Sequence, residues 1–429
     1  MIGGYFRNIS IHSVLIYLLF VSQLFEEHWG SKVLIIGSLV GLLFSIKERK
    51  YPDFTFWGYG LYFGFCLLSI FWSIDIEKSL LLIGGLLPFI FIPLWINSIR
   101  TPINYANVFQ SISLTYVAIG VYNIGSAGLR FSMSQNIEEF FYHPLVSPLQ
   151  ANAIYISLWY LLVFLINIFL LKKENLNLSI VLINFFFVAF IFLLSSKMLT
   201  VIMVITGLIL LWPSLKNRIS HLKYLIIGLT IAILLACSMV LVSGSVIGRF
   251  KEISNIEEVK EVFTKKEFGH VYPWNGLTLR LIQLRSFWDI EKSDAFNPWI
   301  GVGINNGQKP LNEMYKKYDL YSGENGDTDG GFFNYNFHNQ YTQTLIETGI
   351  IGFIVLVFIV IQWFSKSLKE NRLLIISVGF SFVSLMLTES ILLRQKGIVA
   401  FVFIPYLILK MVDYKSQMSK DKLIQNGKL

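Results

Sequence analysis

The stretch FHNQYTQTLIETGIIG, residues Phe337–Gly352, decides the fold because it changes from polar to apolar within one motif. A long polar segment, Ser243–Gln343, comes before this change, and an apolar segment follows it. Connections longer than about 12–15 residues in compact proteins are usually functional or disordered. The sequence therefore predicts a functional loop at Ser243–Gln343, hereafter the large loop, between two apolar segments.

The composition is that of a membrane protein. Hydrophobic residues make up 54% of the chain and charged residues only 14%, and the mean hydropathy is +0.60. Apolar runs of about 18 residues or more cross a bilayer as helices, because a helix satisfies its own backbone hydrogen bonds in lipid. About twelve such runs occur, near residues 9–25, 32–46, 54–74, 79–97, 104–125, 150–171, 176–194, 198–213, 224–242, 345–364, 373–390 and 396–412.

These runs predict an all-α, polytopic integral membrane protein in three parts. Residues 1–242 hold nine transmembrane helices, residues 243–343 form the large loop, and residues 344–429 hold three further helices and a cytoplasmic tail. The run at 9–25 is not followed by a small-residue cleavage pattern, so we interpret it as the first span rather than a signal peptide.

The net charge of +8 reflects membrane topology rather than a nucleic-acid partner. Cations are concentrated in the loops that alternate to one face of the membrane, among them Lys47, Arg49, Lys50, Arg100, Lys172, Lys173, Lys216, Arg218, Lys223, Lys366, Lys369 and Arg372. By the positive-inside rule, both termini are cytoplasmic and the large loop lies outside the cytoplasmic membrane. Cys66 and Cys237 both fall in predicted spans, so no disulfide framework orders the loop.

Within the large loop, two segments have helical patterns. Arg249–Phe268 alternates charged and apolar residues as an amphipathic helix does, and Gly276–Ile290 predicts a second helix that ends before Asn297-Pro-Trp. Gly301 and Gly303 follow, and the absence of a strand–helix context favours a tight turn there over a phosphate-binding loop.

His338 is the first candidate for chemistry, since it lies where the large loop meets the tenth predicted span. Asn339 has a side chain suited to an N-cap. On a helix that begins here, His338 and Tyr341 would share a face, and Gly349 and Gly352 would permit close helix packing. A histidine in this place can act as a general base near neutral pH. The alternative is an interfacial histidine that only forms hydrogen bonds.

Three cations are candidates for binding an anionic substrate. Lys197 lies between two apolar runs, where an ionisable residue is costly, although it could instead extend to the membrane surface. Arg280 and Arg285 are five positions apart on the predicted loop helix and so point about 140° away from each other. One of them can face a site with its phosphate-binding fork, and Arg285 could instead be a solvated salt-bridge partner.

Asp327 and Asp329 form a DxD pattern that could hold a divalent metal. Asn336 stands where a calcium loop would need its bidentate glutamate. A flexible turn rich in glycine and aspartate is the simpler interpretation, and we predict no metal site.

Two motifs resemble the O-antigen ligase and O-antigen polymerase superfamily of bacterial envelope glycosyltransferases. NFHNQYTQTLIETGIIG (Asn336–Gly352) is similar to the family's His-Asn…Glu-x-Gly-x-x-Gly signature. LTLRLIQLRSFWDIEKSDAFNPWIGVG (Leu277–Gly303) is similar to its Arg…Trp…Asn-Pro-x-x-Gly-x-Gly block. The predicted topology, with a large outer loop between the ninth and tenth spans, is a third similarity.

The resemblance implies an enzyme of the bacterial inner membrane that uses neither metal nor cofactor. It would move a glycan from an undecaprenyl-diphosphate carrier to a hydroxyl of an acceptor sugar on lipid A core or another glycan. His338 would act in catalysis, and Lys197 and Arg280 would bind the diphosphate, with Arg285 as the alternative arginine. The supporting residues would be Asn339, Tyr341 and Trp288.

This chain departs from the family pattern at two places. Lys197 stands where the family usually has arginine, and Trp288 lies farther from the loop arginine than the family's tryptophan does. The choice between Arg280 and Arg285 is therefore open on sequence grounds.

Three functions are compatible with these observations. A ligase is favoured by the HNQ motif, and a repeat-unit polymerase would use the same chemistry. A polyprenyl-glycan flippase or transporter is the alternative of another class. Transporters favour charged, broken helices at the membrane midplane and short loops, whereas this chain concentrates its polar groups in one large loop.

Overall fold

The computed structural model describes residues 10–48, 54–99, 103–171, 178–194, 196–216, 256–294, 296–323, 330–367 and 371–425. Every regular element in these ranges is helical. Before the large loop come α1 (Ile11–Ser22), α2 (Glu27–Glu48), α3 (Phe54–Leu68), α4 (Ile76–Leu86), α5 (Pro88–Ser98), α6 (Tyr105–Ser134), α7 (Tyr142–Leu145), α8 (Ala153–Leu171), α9 (Leu178–Leu193) and α10 (Lys197–Lys216). The large loop contains α11 (Ile256–Thr264), α12 (Gly276–Glu291) and α13 (Gln308–Lys317). It is followed by α14 (Gln340–Ser365), α15 (Arg372–Leu385) and α16 (Gln395–Gln425).

The predicted all-helical membrane class is confirmed. Among the described residues, four helical segments are long and apolar enough to cross a membrane: Ile76–Ser98, Tyr105–Ser134, Ala153–Leu170 and Gln340–Ser365. Several shorter apolar helices accompany them. The total of about twelve spans stays a prediction, and the ninth predicted span, 224–242, lies outside the described residues.

The apolar core is centred on α8. This helix is apolar on all sides, and from Leu158 to Ile166 no side chain is more than 1% exposed. It packs against α6, α9, α10, α15 and α16. A helix that is hydrophobic all round belongs inside a bundle, so α8 is the central helix of the apolar part.

Helix α14 is broken at Gly349, which has φ +63° and ψ −167°. The break is filled by the turn Pro298–Gly303 of the large loop, through four backbone hydrogen bonds. Val302 and Gly303 donate to the carbonyls of Ile346 and Glu347 (both 2.9 Å), and Ile350 and Ile351 donate to those of Pro298 and Trp299 (2.9 and 3.2 Å). Backbone groups freed by a broken helix in a membrane need such partners. The turn and the broken helix thus provide hydrogen-bond partners for each other's backbone groups.

The packing expected of the two glycines of α14 is therefore only partly found. Gly352 faces the Phe65 side chain of α3, as close helix packing predicts. Gly349 instead packs against the loop turn, because its positive φ takes it out of the helix, and a Cβ there would overlap the backbone of Trp299. Gly301 and Gly303 have φ values of +67° and +94°, which confirms the predicted tight turn.

The described part of the large loop has a small core of its own. Val262 of α11, Ile282 of α12 and Leu311 and Tyr315 of α13 are all fully buried there. The predicted helix Gly276–Ile290 is confirmed as α12, which begins with a capping box between Asn275 and Thr278. Of the predicted amphipathic helix Arg249–Phe268, Ile256–Thr264 form α11, whereas residues 265–268 are not helical.

Candidate functional site

His338 lies at the junction between the large loop and α14. Its φ of +44° is left-handed, and its backbone N–H bonds to Asn336 Oδ1 at 2.8 Å. Asn339 is the N-cap of α14, and its Oδ1 accepts from the backbone N–H groups of Tyr341 and Thr342 (2.9 and 3.1 Å), which confirms the predicted cap. His338 therefore precedes the helix and does not share a helical face with Tyr341.

A buried carboxylate, Glu389, joins His338 to Arg280. The Glu389 side chain is only 11% exposed. Its Oε2 lies 3.5 Å from His338 Nδ1, and its Oε1 lies 3.2 Å from Arg280 Nη2. The contact to His338 has the length of an ion pair rather than of a hydrogen bond, and Nδ1 is buried with no hydrogen-bond partner among the described residues. Such contacts often tighten when substrate binds.

Arg280 is held firmly but remains accessible. Its Nε donates to the Thr388 carbonyl (3.3 Å) and its Nη1 to the Gly276 carbonyl (2.7 Å), in addition to the contact with Glu389. Its side chain is 36% exposed. Three of the five N–H donors of a guanidinium are used in this way. The others form no hydrogen bond to another described residue and are available to an anionic ligand.

The connection between α15 and α16 carries Glu389, and the start of α14 holds that connection in place. The backbone N–H of Gln340 donates to the Met386 carbonyl, and Gln340 Oε1 accepts from the backbone N–H of Leu392, both at 2.8 Å. Asn339 Nδ2 donates to the Leu387 carbonyl at 3.2 Å. The site is thus built from α12, the loop–α14 junction and the α15–α16 connection.

Arg285 faces another part of the loop. Its Nη1 donates to the carbonyls of Val262 and Lys265, both at 2.7 Å, and its guanidinium lies 4.5 Å from the ring centroid of Tyr318. These contacts tie α11 and the chain after it to α12. The two arginines have different partners, as their spacing on the helix predicts.

Two further sequence candidates have structural contacts. Tyr341 donates its hydroxyl to the Val383 carbonyl at 2.8 Å and so fastens α14 to α15. Trp288 is 43% exposed and lies beside Phe263, with 6.1 Å between their ring centroids. Neither contact involves His338.

The remaining sequence candidates are Lys197, Asp327 and Asp329. Lys197 is the first residue of α10, but its side chain lies outside the described residues. Asp327 and Asp329 also lie outside them. Within the described ranges, no group of three His, Cys, Asp or Glu side chains could hold a metal ion.

Glu389 is the residue that the sequence analysis did not identify. It is the only acidic residue in the apolar stretch LMLTESILL, Leu385–Leu393. Ionisable residues in such surroundings are costly and tend to mark functional sites. The acidic residue in an apolar stretch is therefore visible in the sequence. Only the fold shows that Glu389 contacts Arg280 and His338.

The arrangement is suited to proton transfer next to a bound anionic ligand. A carboxylate at Nδ1 favours the imidazole tautomer that leaves Nε2 free to accept a proton. His338 Nε2 forms no hydrogen bond to another residue in the described ranges. Arg280 places a guanidinium on the other oxygen of the same carboxylate. A proton acceptor and an anion-binding group are therefore adjacent.

Comparison with known families finds one similarity, which covers the centre of the chain. Residues 180–357 match the family described as O-antigen ligase. This segment includes α12, the Pro298–Gly303 turn, His338 and the break in α14. A comparison with curated protein sequences finds no significant match. The resemblance noted in the sequence is confirmed over this segment: residues 180–357 are similar to the O-antigen ligase family.

Proposed function

We propose that this protein transfers a glycan from an undecaprenyl-diphosphate carrier to a hydroxyl of an acceptor sugar, as an O-antigen ligase. The family match supports a membrane glycosyltransferase of the ligase or polymerase type. The observation that carries the mechanism is the shared contact of Arg280 and His338 with Glu389, at 3.2 and 3.5 Å. It brings a phosphate-binding group and a base to one place.

The diphosphate is both the activating group and the leaving group in this reaction. As the bond between the anomeric carbon and the phosphate oxygen breaks, its electron pair moves to the diphosphate and negative charge increases there. A fixed guanidinium stabilises such charge because it needs no reorganisation during the reaction. Arg280 supplies this group, since part of its fork is accessible beside Glu389.

Lys197 is proposed as the second diphosphate-binding cation. It begins α10, which packs against α15, the helix that leads into the Glu389 connection. Because the diphosphate requires a positive charge rather than one particular side chain, Lys197→Arg should retain activity. Lys197→Ala should raise the KM for the donor. Equal activity of Lys197→Ala and wild type would remove Lys197 from the site.

His338 is proposed as the general base. The hydroxyl oxygen of the acceptor attacks the anomeric carbon, and its proton passes to His338 Nε2 as the new glycosidic bond forms. Glu389, at Nδ1, stabilises the imidazolium that results and fixes the ring. Glu389 is therefore a positioning residue for both His338 and Arg280. The charges that assist the leaving group come from the chain itself, so we expect chelators to leave the rate unchanged.

A transfer assay with sized products tests this proposal. The purified protein in lipid nanodiscs is incubated with the lipid-linked glycan and the candidate acceptors of the strain that carries the gene. A single glycan transferred to each acceptor indicates a ligase, and a ladder of products indicates a polymerase. Movement of the lipid-linked glycan across a vesicle membrane without any transfer would overturn the proposal and favour a flippase.

A further inference from the structure

A row of aromatic rings leads away from His338 across the surface of the large loop. The ring of Tyr335 lies 5.8 Å from the imidazole of His338, measured between centroids. Phe332 follows at 5.7 Å from Tyr335, and Trp274 follows at 6.1 Å from Phe332. Every step in this row is of the length found in contacting aromatic pairs. We call Trp274, Phe332 and Tyr335 the aromatic row.

Backbone hydrogen bonds fix the row, and the ring nearest His338, that of Tyr335, is exposed. The Tyr335 carbonyl accepts from Gln308 Nε2 at 3.0 Å and from the Tyr315 hydroxyl at 3.3 Å. The Phe332 N–H donates to the Tyr321 carbonyl at 3.0 Å. Tyr335 is nevertheless 42% exposed, and its hydroxyl has no hydrogen-bond partner among the described residues. Phe332 and Trp274 are half-buried.

Such a rigid, partly exposed row is suited to binding sugars. A pyranose ring has an apolar face of C–H groups and a rim of hydroxyl groups. The negative face of an aromatic ring attracts C–H groups, and a tyrosine adds a polar group at its edge. Because the row is already ordered, little conformational entropy is lost when a ligand binds.

The position of the row indicates which sugar it binds. Arg280, which is proposed to bind the diphosphate of the donor, contacts Gly276, Thr388 and Glu389. The ring of Tyr335 contacts the imidazole of His338 directly, with 5.8 Å between centroids, whereas Arg280 is joined to His338 through Glu389. His338 takes its proton from the acceptor hydroxyl, so the sugar that lies beside the imidazole on this side is the acceptor.

We propose that Trp274, Phe332 and Tyr335 form a binding platform for the acceptor glycan, with Tyr335 under the sugar that reacts and the other two rings under the sugars that precede it. This inference rests on the proposed function, because His338 as the base defines which end of the row is reactive. It adds a binding site for an extended acceptor glycan to the site described above.

The test compares acceptors of different length. Glycans released by mild acid from the envelope of the strain that carries the gene are separated by size into short and long fragments. Loss of one stacked ring should raise the acceptor KM about threefold to tenfold. We therefore expect Tyr335→Leu to raise it for all fragments, while Tyr335→Phe, which keeps the ring, stays within about twofold of wild type. Trp274→Leu should raise it for long fragments only.

For Trp274→Leu, the acceptor KM for long fragments is divided by the acceptor KM for short fragments, both measured on the same protein sample. Partial misfolding would not change this ratio. Phe263→Leu is the matched control, since Phe263 is an exposed aromatic residue of the same loop that packs on Trp288. The donor KM should be unchanged in all variants. A higher donor KM in Tyr335→Leu would assign the row to the donor glycan and overturn the proposal.

Direct binding separates this inference from the proposed function. If wild type transfers no glycan, the binding of the fluorescently labelled long fragment to wild type and to Tyr335→Leu is compared by anisotropy in nanodiscs. Tighter binding by wild type supports the platform even then. Equal binding, or an acceptor KM that no variant changes, would overturn it and leave the row as packing within the loop.

Discussion

Arg280 and His338 contact opposite oxygens of one buried carboxylate, that of Glu389, at 3.2 and 3.5 Å. The two residues come from different elements, one from α12 and the other from the junction before α14. A carboxylate that is only 11% exposed has lost most of its hydration, and a neighbouring cation compensates for this loss. Arg280 is this cation, so its guanidinium lies on the same carboxylate that His338 contacts.

The two loop arginines should respond differently to substitution. Arg280→Ala removes a charged hydrogen-bonding group, so the donor KM should rise about 10- to 100-fold. Arg285→Ala leaves the carbonyls of Val262 and Lys265 without their donor and should instead destabilise the loop by about 1–3 kcal/mol. Steady-state kinetics with varied donor and thermal unfolding of each variant measure the two effects. If Arg285→Ala raises the donor KM more than Arg280→Ala does, the two roles must be exchanged.

Much of the fold could be predicted from local patterns. The apolar runs, the helix Gly276–Ile290 and the N-cap at Asn339 follow from periodicity, capping chemistry and transfer energetics, all of which act within a few residues. Arg280 and Arg285 could also be assigned to different faces, because helix geometry fixes the angle between them.

The assembly of the site could not be predicted in this way. Glu389 lies far from Arg280 and His338 in sequence, and no local rule pairs them. The break at Gly349 was missed because a glycine followed by apolar residues also fits an unbroken span with close helix packing. Only the Pro298–Gly303 turn, which supplies the missing hydrogen bonds, makes the broken helix stable.

The Pro298–Gly303 turn fills the break in α14 through backbone hydrogen bonds, and we call this contact the interlock. Its formation should depend strongly on Gly349. A Cβ at this position would overlap the Trp299 backbone, and its φ of +63° is unfavourable for alanine. We expect Gly349→Ala to lower stability by about 1–3 kcal/mol and to reduce transfer. Gly125→Ala is the control, since a Cβ there meets nothing within 4 Å. Thermal unfolding in detergent compares the two, and equal midpoints would contradict the interlock.

The stability of the loop should depend on pH through Asp289. Burial acts to raise the pKa of this carboxyl, but hydrogen bonds from the Tyr318 hydroxyl (2.7 Å) and Lys317 Nζ (3.0 Å) outweigh it and hold the pKa below its usual value. A carboxyl whose pKa is lowered by folding stabilises the protein above the pKa of the unfolded chain, about 4. This stabilisation is lost as the pH falls through the folded value.

Asp289→Asn should therefore unfold more readily than wild type at pH 6, by about 1 kcal/mol. The difference should shrink as the pH falls below about 4. Thermal unfolding at a series of pH values measures it, with the exposed Asp294→Asn as the control. A difference that stays constant down to pH 3 would assign the effect to packing rather than to charge.

The orientation of the chain in the membrane can be tested with introduced cysteines. Val271 of the large loop is 94% exposed, and Ser365 at the end of α14 is also exposed. In a background with Cys66 and Cys237 replaced by alanine, Val271→Cys should react with an impermeant thiol reagent in intact spheroplasts. Ser365→Cys should react only after the membrane is opened. The reverse pattern would place the loop in the cytoplasm, where the proposed acceptor is not found.

His338 and Glu389 should affect different kinetic constants. A general base contributes about 10²–10⁴-fold to the rate, so His338→Ala should retain no more than about one per cent of kcat, with the donor KM little changed. His338→Gln should be equally slow, because an amide can replace a hydrogen bond but cannot accept the proton.

Glu389→Gln should lower kcat and also raise the donor KM, since it removes the charge that orients His338 and Arg280 together. Single-turnover rates and donor titrations of protein checked for folding by size exclusion separate the two effects. Near-normal kcat in His338→Gln would make His338 a positioning residue, and an unchanged donor KM in Glu389→Gln would mean that Arg280 does not depend on this carboxylate.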